Sequence, residues 1–207
     1  MDKEKFLNAV KALRKSKKKV NFNQTVDLIV NLKGFEVKKH GFNVFVFLPN
    51  KIKDKKIAGF LEKDSKLVYS IKKSDFSRYK EKKDSKKLIK NYDFFISNAK
   101  LMPDVATVFG RILGPAGKMP SPQLGIILNE DDKIIESLIN KINSSVRIIV
   151  KEPSIKIAVA KESLNDDQIA DNILAAYDKI IENLPRKIDN IQNIKIKLTM
   201  GKPVLVQ

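Results

Sequence analysis

The sequence predicts an α+β fold split by an inserted α/β domain: segments 1–54 and 146–207 form one discontinuous domain, and 55–145 form the other. Three observations predict it. The terminal segments carry strands with clean polar–apolar alternation, the pattern of a sheet wetted on one face. The middle segment alternates short, wholly apolar strands with helices, the pattern of a parallel, doubly wound sheet. A polar connector, Asn50-Lys51-Ile52-Lys53-Asp54, and a change of rhythm after Ser145 separate the two patterns.

Along the chain, 2–18 reads as a helix whose apolar stripe is Phe6, Leu7, Val10 and Leu13. A strand at 25–33 follows, with Val26, Leu28, Val30 and Leu32 on one face and Thr25, Asp27, Asn31 and Lys33 on the other. The next strand, 42–48, is apolar on both faces and is expected to be central; Pro49 stops it. In the middle segment, strands at 56–61, 67–71 and 94–97 alternate with helices at about 74–91, 103–112 and 131–144. Two strands, 146–150 and 155–160, then flank the turn Lys151-Glu152-Pro153-Ser154. The last helix opens with Asn165 as N-cap and Gln168 three residues on, a capping-box spacing. Its apolar face is Ile169, Ile173, Leu174, Tyr177, Ile180 and Leu184, and Pro185 ends it. The final strand sets Ile194, Ile196 and Leu198 against Asn193, Lys195, Lys197 and Thr199.

The 207 residues hold 41 Lys and Arg against 24 Asp and Glu, a formal charge of +17. Segments 1–54 and 55–145 carry +8 and +7, and the rest only +2. Two dense basic clusters stand out, at 11–19 and 72–90. Such runs keep a protein soluble, but the sum points to a polyanion bound through its phosphates. Few aromatics and no Trp weigh against stacking platforms for single strands, so folded or duplex RNA read by shape is the expected partner. The absence of Cys excludes thiolate chemistry and disulfides, and His40 is the one histidine, which excludes His-pair metal motifs. No apolar run reaches the ~20 residues of a membrane span, and the first residues lack a signal-peptide centre, so a cytoplasmic protein without membrane contact is expected.

The densest turn cluster is Gly110-Arg111-Ile112-Leu113-Gly114-Pro115-Ala116-Gly117-Lys118-Met119-Pro120-Ser121-Pro122. Gly117-Lys118 invites a phosphate-loop reading. That loop needs glycine where Ile112 stands and Ser or Thr where Met119 stands, so the reading fails. A rigid loop built on Gly110, Gly114, Pro115, Gly117, Lys118 and Pro120 accounts for the pattern.

The same stretch closely resembles the diagnostic loop of the ribosomal protein L-one family, the universal stalk protein of the large subunit, in its archaeal type. So do Asp93-Phe94-Phe95-Ile96, Leu101-Met102-Pro103, Asp167-Gln168-Ile169-Ala170-Asp171-Asn172-Ile173 and Leu198-Thr199-Met200-Gly201, in that order along the chain. The resemblance implies a split β-α-β (ferredoxin/RRM-like) domain interrupted by a Rossmann-like three-layer domain. It implies a monomeric, non-catalytic protein without cofactor or metal that binds the mobile stalk of large-subunit rRNA, near where deacylated tRNA leaves. It also implies binding to the leader or coding region of its own mRNA as a translational repressor. The family's Phe-x-x-Thr falls on Phe22 to Thr25, including Gln24, and its Thr-Met-Gly on Thr199, Met200 and Gly201. Asn31, Lys33, Lys151 and Asn193 complete the expected RNA contacts. Where the family usually has His-Gly-x-Gly after Leu-Pro, this chain has Asn50-Lys51-Ile52-Lys53. A free translational regulator and an enzyme using the inserted domain are the competing classes; the second finds no intact nucleotide motif.

Overall fold

A computed structural model describes residues 3–16, 20–80 and 82–206. In chain order its elements are α1 (Lys3–Lys15), β1 (Thr25–Leu32), α2 (Val37–His40), β2 (Asn43–Phe47), β3 (Ile57–Phe60), β4 (Tyr69–Ile71), α3 (Lys82–Asn91), β5 (Phe94–Asn98), α4 (Met102–Leu113), β6 (Ile126–Ile127), α5 (Asp132–Asn143), β7 (Ser145–Ile149), β8 (Ser154–Lys161), α6 (Asp166–Asn183), β9 (Ile191–Leu198) and β10 (Val204–Leu205). Short 3₁₀ segments lie at Lys73–Lys80, Ala99–Leu101 and Lys187–Asn190. None of the described helices is long and apolar enough to cross a membrane. The chain divides into two compact units, 1–53 with 144–207, and 54–143.

The first unit is built on a sheet of order β10-β9-β1-β8. β1 is antiparallel to β8 on one side and to β9 on the other. Its alternation is the one the sequence predicts: Val26, Leu28, Val30 and Leu32 are all buried. They face the stripe of α1 (Phe6, Val10, Leu13) and that of α6 (Ile169, Ile173, Tyr177, Ile180) in a single core. The Phe6 and Tyr177 rings meet edge to face with centroids 5.7 Å apart. Ion pairs Lys3–Asp171 and Arg14–Asp166 flank the contact between the helices. At the start of α6 the Asn165 N–H donates to Gln168 Oε1 at 3.1 Å, as the capping-box spacing predicts. Leu184, preceding Pro185, is extended (ψ 135°) and ends the helix.

Strand β2 departs from expectation. It pairs only with β7, in a two-stranded ribbon, and Phe47 is exposed. Only its Val46 and the following Leu48 are fully buried, so an apolar run on both faces does not make this strand central. Buried Asn172 holds the segment after it. Its Oδ1 accepts the Asn50 N–H at 2.9 Å, and its Nδ2 donates to the carbonyls of Asn50 and Val159 at 2.9 and 2.8 Å.

The second unit is a wholly parallel sheet of order β4-β3-β5-β6. β3 is buried at every position and β5 from Phe95 on, as strands covered on both faces must be. Phe60, Phe76, Phe95 and Phe109 pack the interior. The strand expected at 67–71 begins only at Tyr69, with Leu67 exposed, and the helix expected over 74–91 is a 3₁₀ segment followed by α3. The two-residue strands β6 and β10 are too short for a periodicity to show.

The glycine-rich loop is structural in the way expected, with one exception. A Cβ on Gly114 would lie 2.6 Å from the Gly110 carbonyl oxygen, and Gly117 has φ +67°. Lys118 Nζ donates to the carbonyls of Ile89 and Tyr92, both at 2.7 Å, and so satisfies the C-terminal end of α3. Pro120 is buried and Pro115 exposed. Gly110 is the correction: it lies inside α4 with open space around its Cβ position, so neither a turn nor a close approach requires glycine there.

The order in which strands are added changes side between β3 and β5, the place where doubly wound sheets take ligands beyond their strand ends. Here Glu130 fills it. Its carboxylate accepts the N–H groups of Glu62 and Lys63 at 2.9 and 2.8 Å and the Asn98 amide at 2.6 Å. Burial pushes its pKa up, but these donors outweigh burial and hold it below its ordinary value of 4.5.

Two outcomes follow. Asn172→Ala orphans one N–H and two carbonyls, so urea unfolding followed by circular dichroism should show about 3 kcal/mol less stability. Glu130 is depressed in the folded state, so its stabilisation is complete above the ordinary pKa and lost as pH falls through the lowered folded value. Thermal midpoints taken between pH ~3 and ~6 should therefore fall more steeply with acid in the native chain than in Glu130→Gln.

Candidate nucleic-acid interface

With both helices on one side, the other face of the β10-β9-β1-β8 sheet presents its outward residues. Along β1 these are Thr25, Asp27, Ile29 and Asn31. Opposite Asp27 stand Lys197 and Ala158, and opposite Ile29 stand Lys195 and Lys156. Leu205 of β10 is paired with Lys195, so it joins the same face and is exposed. Asp27 is the lone acid in this row. Burial raises its carboxyl pKa, against the lowering pull of Lys197 and Lys161.

A bulge adds a lysine that alternation hides. The β1–β8 register slips between Val26 and Asp27, so that Val159 and Ala160 both turn into the core. Lys161 then emerges on the outward face, where its Nζ donates to Thr25 Oγ1 at 2.8 Å. Counting by twos from Ile155 places Lys161 in the core, and no local signal marks the bulge.

The expected RNA residues gather at two places on this face. At the start of β1, the Thr25 N–H donates to Thr199 Oγ1 at 3.0 Å, and the Thr199 N–H donates to the Thr25 carbonyl at 3.1 Å. Beside them Phe22 and Met200 are about half exposed, at 51% and 55%. Asn23 and Ser163 lock the adjoining loops by reciprocal hydrogen bonds of 3.0 and 3.3 Å. A hollow of about 400 Å³ lies here, lined by Arg14, Phe22, Asn23, Glu162 and Ser163. The Gly201 N–H closes the turn on the Leu198 carbonyl at 2.9 Å. At the other end of β1, about 20 Å away at ~3.3 Å per residue, Asn31 Nδ2 donates to Asn193 Oδ1 at 2.7 Å and Asn31 Oδ1 accepts from Ser154 at 2.7 Å. Lys33 and Lys151 are exposed beyond that end.

Gln24 is a correction. Expected among the RNA contacts, its side chain is 1% exposed, and its Oε1 accepts the Met200 N–H at 3.1 Å. It braces the turn from beneath. The basic clusters need revision as well. Arg14 is held by Asp166 and the Leu164 carbonyl, while Lys17, Lys18 and Lys19 lie outside the described residues. In the second cluster Lys72 pairs with Asp64 and Lys73 with Asp104. No group of acidic or histidine side chains among the described residues is arranged to hold a metal ion.

The face thus carries four lysines, hydroxyl and amide side chains from Thr25, Thr199, Asn31 and Asn193, and an exposed aromatic and thioether, Phe22 and Met200, at one corner.

Comparison with known proteins follows the same line. A model of the ribosomal protein L1p/L10e family matches residues 13–202. The chain is 34% identical over 219 residues to the large ribosomal subunit protein uL1 of Pyrococcus horikoshii, covering 100% of this chain and 97% of that protein. It is 34% identical to the uL1 of Nanoarchaeum equitans over 97% of this chain and 98% of that protein. Against the uL1 of Thermofilum pendens the identity is 36%, over 94% and 89%.

A Cβ on Gly201 would sit 3.2 Å from Leu198 Cβ, so a side chain there fits only if the Thr199–Gly201 turn gives by a few tenths of an ångström, and its methyls would cover the turn's outer surface. Gly201→Val should weaken RNA binding roughly tenfold, about 1.4 kcal/mol, in a filter assay, while the thermal midpoint stays nearly unchanged.

Proposed function

The chain belongs to the ribosomal protein L1p/L10e family, and on that footing we propose that it is a large-subunit ribosomal protein binding the mobile rRNA stalk through the open face of its first unit. It is not an enzyme, the family being one of structural ribosomal proteins. In this reading 1–53 and 144–207 form the split β-α-β RNA-binding domain, and 54–143 form the Rossmann-like insert. The observation that carries it is the outward sheet face, where Lys156, Lys161, Lys195 and Lys197 gather around Asp27 and end at the Thr25–Thr199 corner, Lys156 being paired with Glu152 at 3.5 Å.

The chemistry divides accordingly. Lysines on a sheet neutralise phosphates and release counterions, which gives affinity for any RNA. The Thr25–Thr199 pair, the Met200–Gly201 turn and exposed Phe22 are short or fixed in place, so they select a particular backbone path. Thr25 and Thr199 are tied to each other and to Lys161, so this corner is organised before RNA arrives. The protein works in the cytoplasm as part of the ribosome, near where deacylated tRNA departs. The same face, met by a similar fold in its own mRNA, makes it a translational repressor.

Residues 1–53 and 144–207 joined by a short linker should keep the preference for stalk rRNA over an unrelated RNA of equal length, because both RNA motifs and the lysine-lined face lie there. Filter binding at several salt concentrations checks this, with each phosphate contact contributing roughly 0.9 to the salt slope on duplex RNA. If the joined chain folds yet binds both RNAs alike, the reading is wrong.

A further inference from the structure

Three of the four tyrosines in the chain, which has no tryptophan, converge on one cavity of the inserted unit. Tyr69, Tyr79 and Tyr92 line about 270 Å³ together with Arg78, Asp84, Lys87, Leu88 and Asn91. Tyr69 projects from the edge strand β4 and is 50% exposed. Its ring stacks on Tyr92, with centroids 5.3 Å apart and planes at 21°. Its hydroxyl lies 3.5 Å from that of Tyr79. The other two rings are anchored inward, Tyr92 against Phe95 at 6.2 Å and Tyr79 against Phe109 at 5.9 Å. The platform is therefore backed by buried rings, and its outer ring is half in solvent. Burial, then the bond to Tyr69, pushes the Tyr79 hydroxyl up to about 12, so it stays protonated and able to donate.

The polar wall matches the aromatic one. Arg78 and Lys87 are exposed cations at the rim, and Lys87 is only loosely paired with Asp84, at 3.9 Å. Asp84 and the exposed Asn91 amide add an acceptor-only group and a donor–acceptor group. An aromatic face, two cations and a few edge-reading groups in a space just below the ~300 Å³ where small-ligand sites begin suit one unstacked nucleotide and exclude a duplex. The surrounding segment, 72–90, is one of the two most basic in the chain.

We propose that this cavity is a second, independent nucleotide site, in which Tyr69 stacks the base of an unpaired nucleotide and Arg78 and Lys87 take its phosphate. The shared chemistry is a base carrying a phosphate, met either as a free mononucleotide or within a single RNA strand. The site lies wholly in the insert and shares no residue with the sheet face of the first unit.

Tyrosine emission tests it directly on the full chain, because the one remaining tyrosine, Tyr177, is buried in the other unit. AMP and a hexa-adenylate strand are titrated separately, with correction for absorbance. Saturable quenching by the strand alone assigns the site to RNA; quenching by AMP as well assigns it to free nucleotides too. In either case Tyr69→Leu should weaken binding at least about fivefold, from a stacking contribution of ~1 kcal/mol or more. Arg78→Gln should weaken it and lower the salt slope by roughly 0.7 for a single strand. Both changes are at exposed positions and should leave the thermal midpoint in place. Gly201→Val, which acts on the other site, should leave the quenching intact. The proposal is overturned if neither probe quenches, if Tyr69→Leu and Arg78→Gln quench like the native chain, or if Gly201→Val abolishes the signal.

Discussion

The structure depends on one strand that has no partner nearby in sequence. β1 is hydrogen-bonded on one side to β8 and on the other to β9, both supplied by the chain beyond the inserted unit. Its four inward residues, Val26, Leu28, Val30 and Leu32, form the floor on which α1 and α6 pack. The first unit therefore has no core until its far segment returns. An insert of this size is tolerable because loop closure costs grow only logarithmically, by ~0.6 kcal/mol for each doubling of length. The segments entering and leaving the insert are tied down, with Leu48 N–H on the Ser144 carbonyl and Asn50 clamped by Asn172. Residues far apart along the chain, such as Thr25 and Thr199, can then meet at hydrogen-bond distance.

Once β1 is central, the two faces of the sheet have separate duties. The inward face holds the fold, and the outward face carries mostly polar and basic side chains, with Ile29, Ala158 and Leu205 among them. The bulge at the end of β8 sharpens this division. It keeps Val159 and Ala160 in the core while moving Lys161 out to Thr25. Gln24 does the opposite, giving up the surface to hold the Met200 turn from below. The exposed Thr25–Thr199 corner and the Met200 turn are thus held from beneath by a buried side chain.

The inserted unit shows how a nucleotide-like architecture is given a different use. Glu130 takes the backbone donors at the crevice between β3 and β5 where an anion would bind. Lys118, the residue that invites a phosphate-loop reading, satisfies the end of α3 instead. A tyrosine-lined cavity between Tyr69 of β4 and the 78–92 segment is open to solvent. A low aromatic count weighs against stacking when residues are tallied along the chain, yet three rings gathered in one place form a platform.

Much of this protein is legible from residue order alone. The alternation of β1 and β9, the stripe and caps of α6, the parallel character of the insert and the Gly114–Gly117 loop follow from local rules, because each is set by residues within a few positions of one another. The family resemblance is carried by short motifs in a fixed order, which also survive reading without a structure. Other features were decided only by long-range packing. Apolar residues on both faces of 42–48 cannot say whether a strand is central or part of a two-stranded ribbon, because its partner, β7, lies about a hundred residues on. A bulge depends on the neighbouring strand's register, so Lys161 is hidden from any count by twos. Burial of Gln24 and the meeting of Tyr69, Tyr79 and Tyr92 depend on segments that approach one another only after the core closes. Periodicity encodes which way a side chain points from its own backbone; what it meets there is set by the rest of the chain.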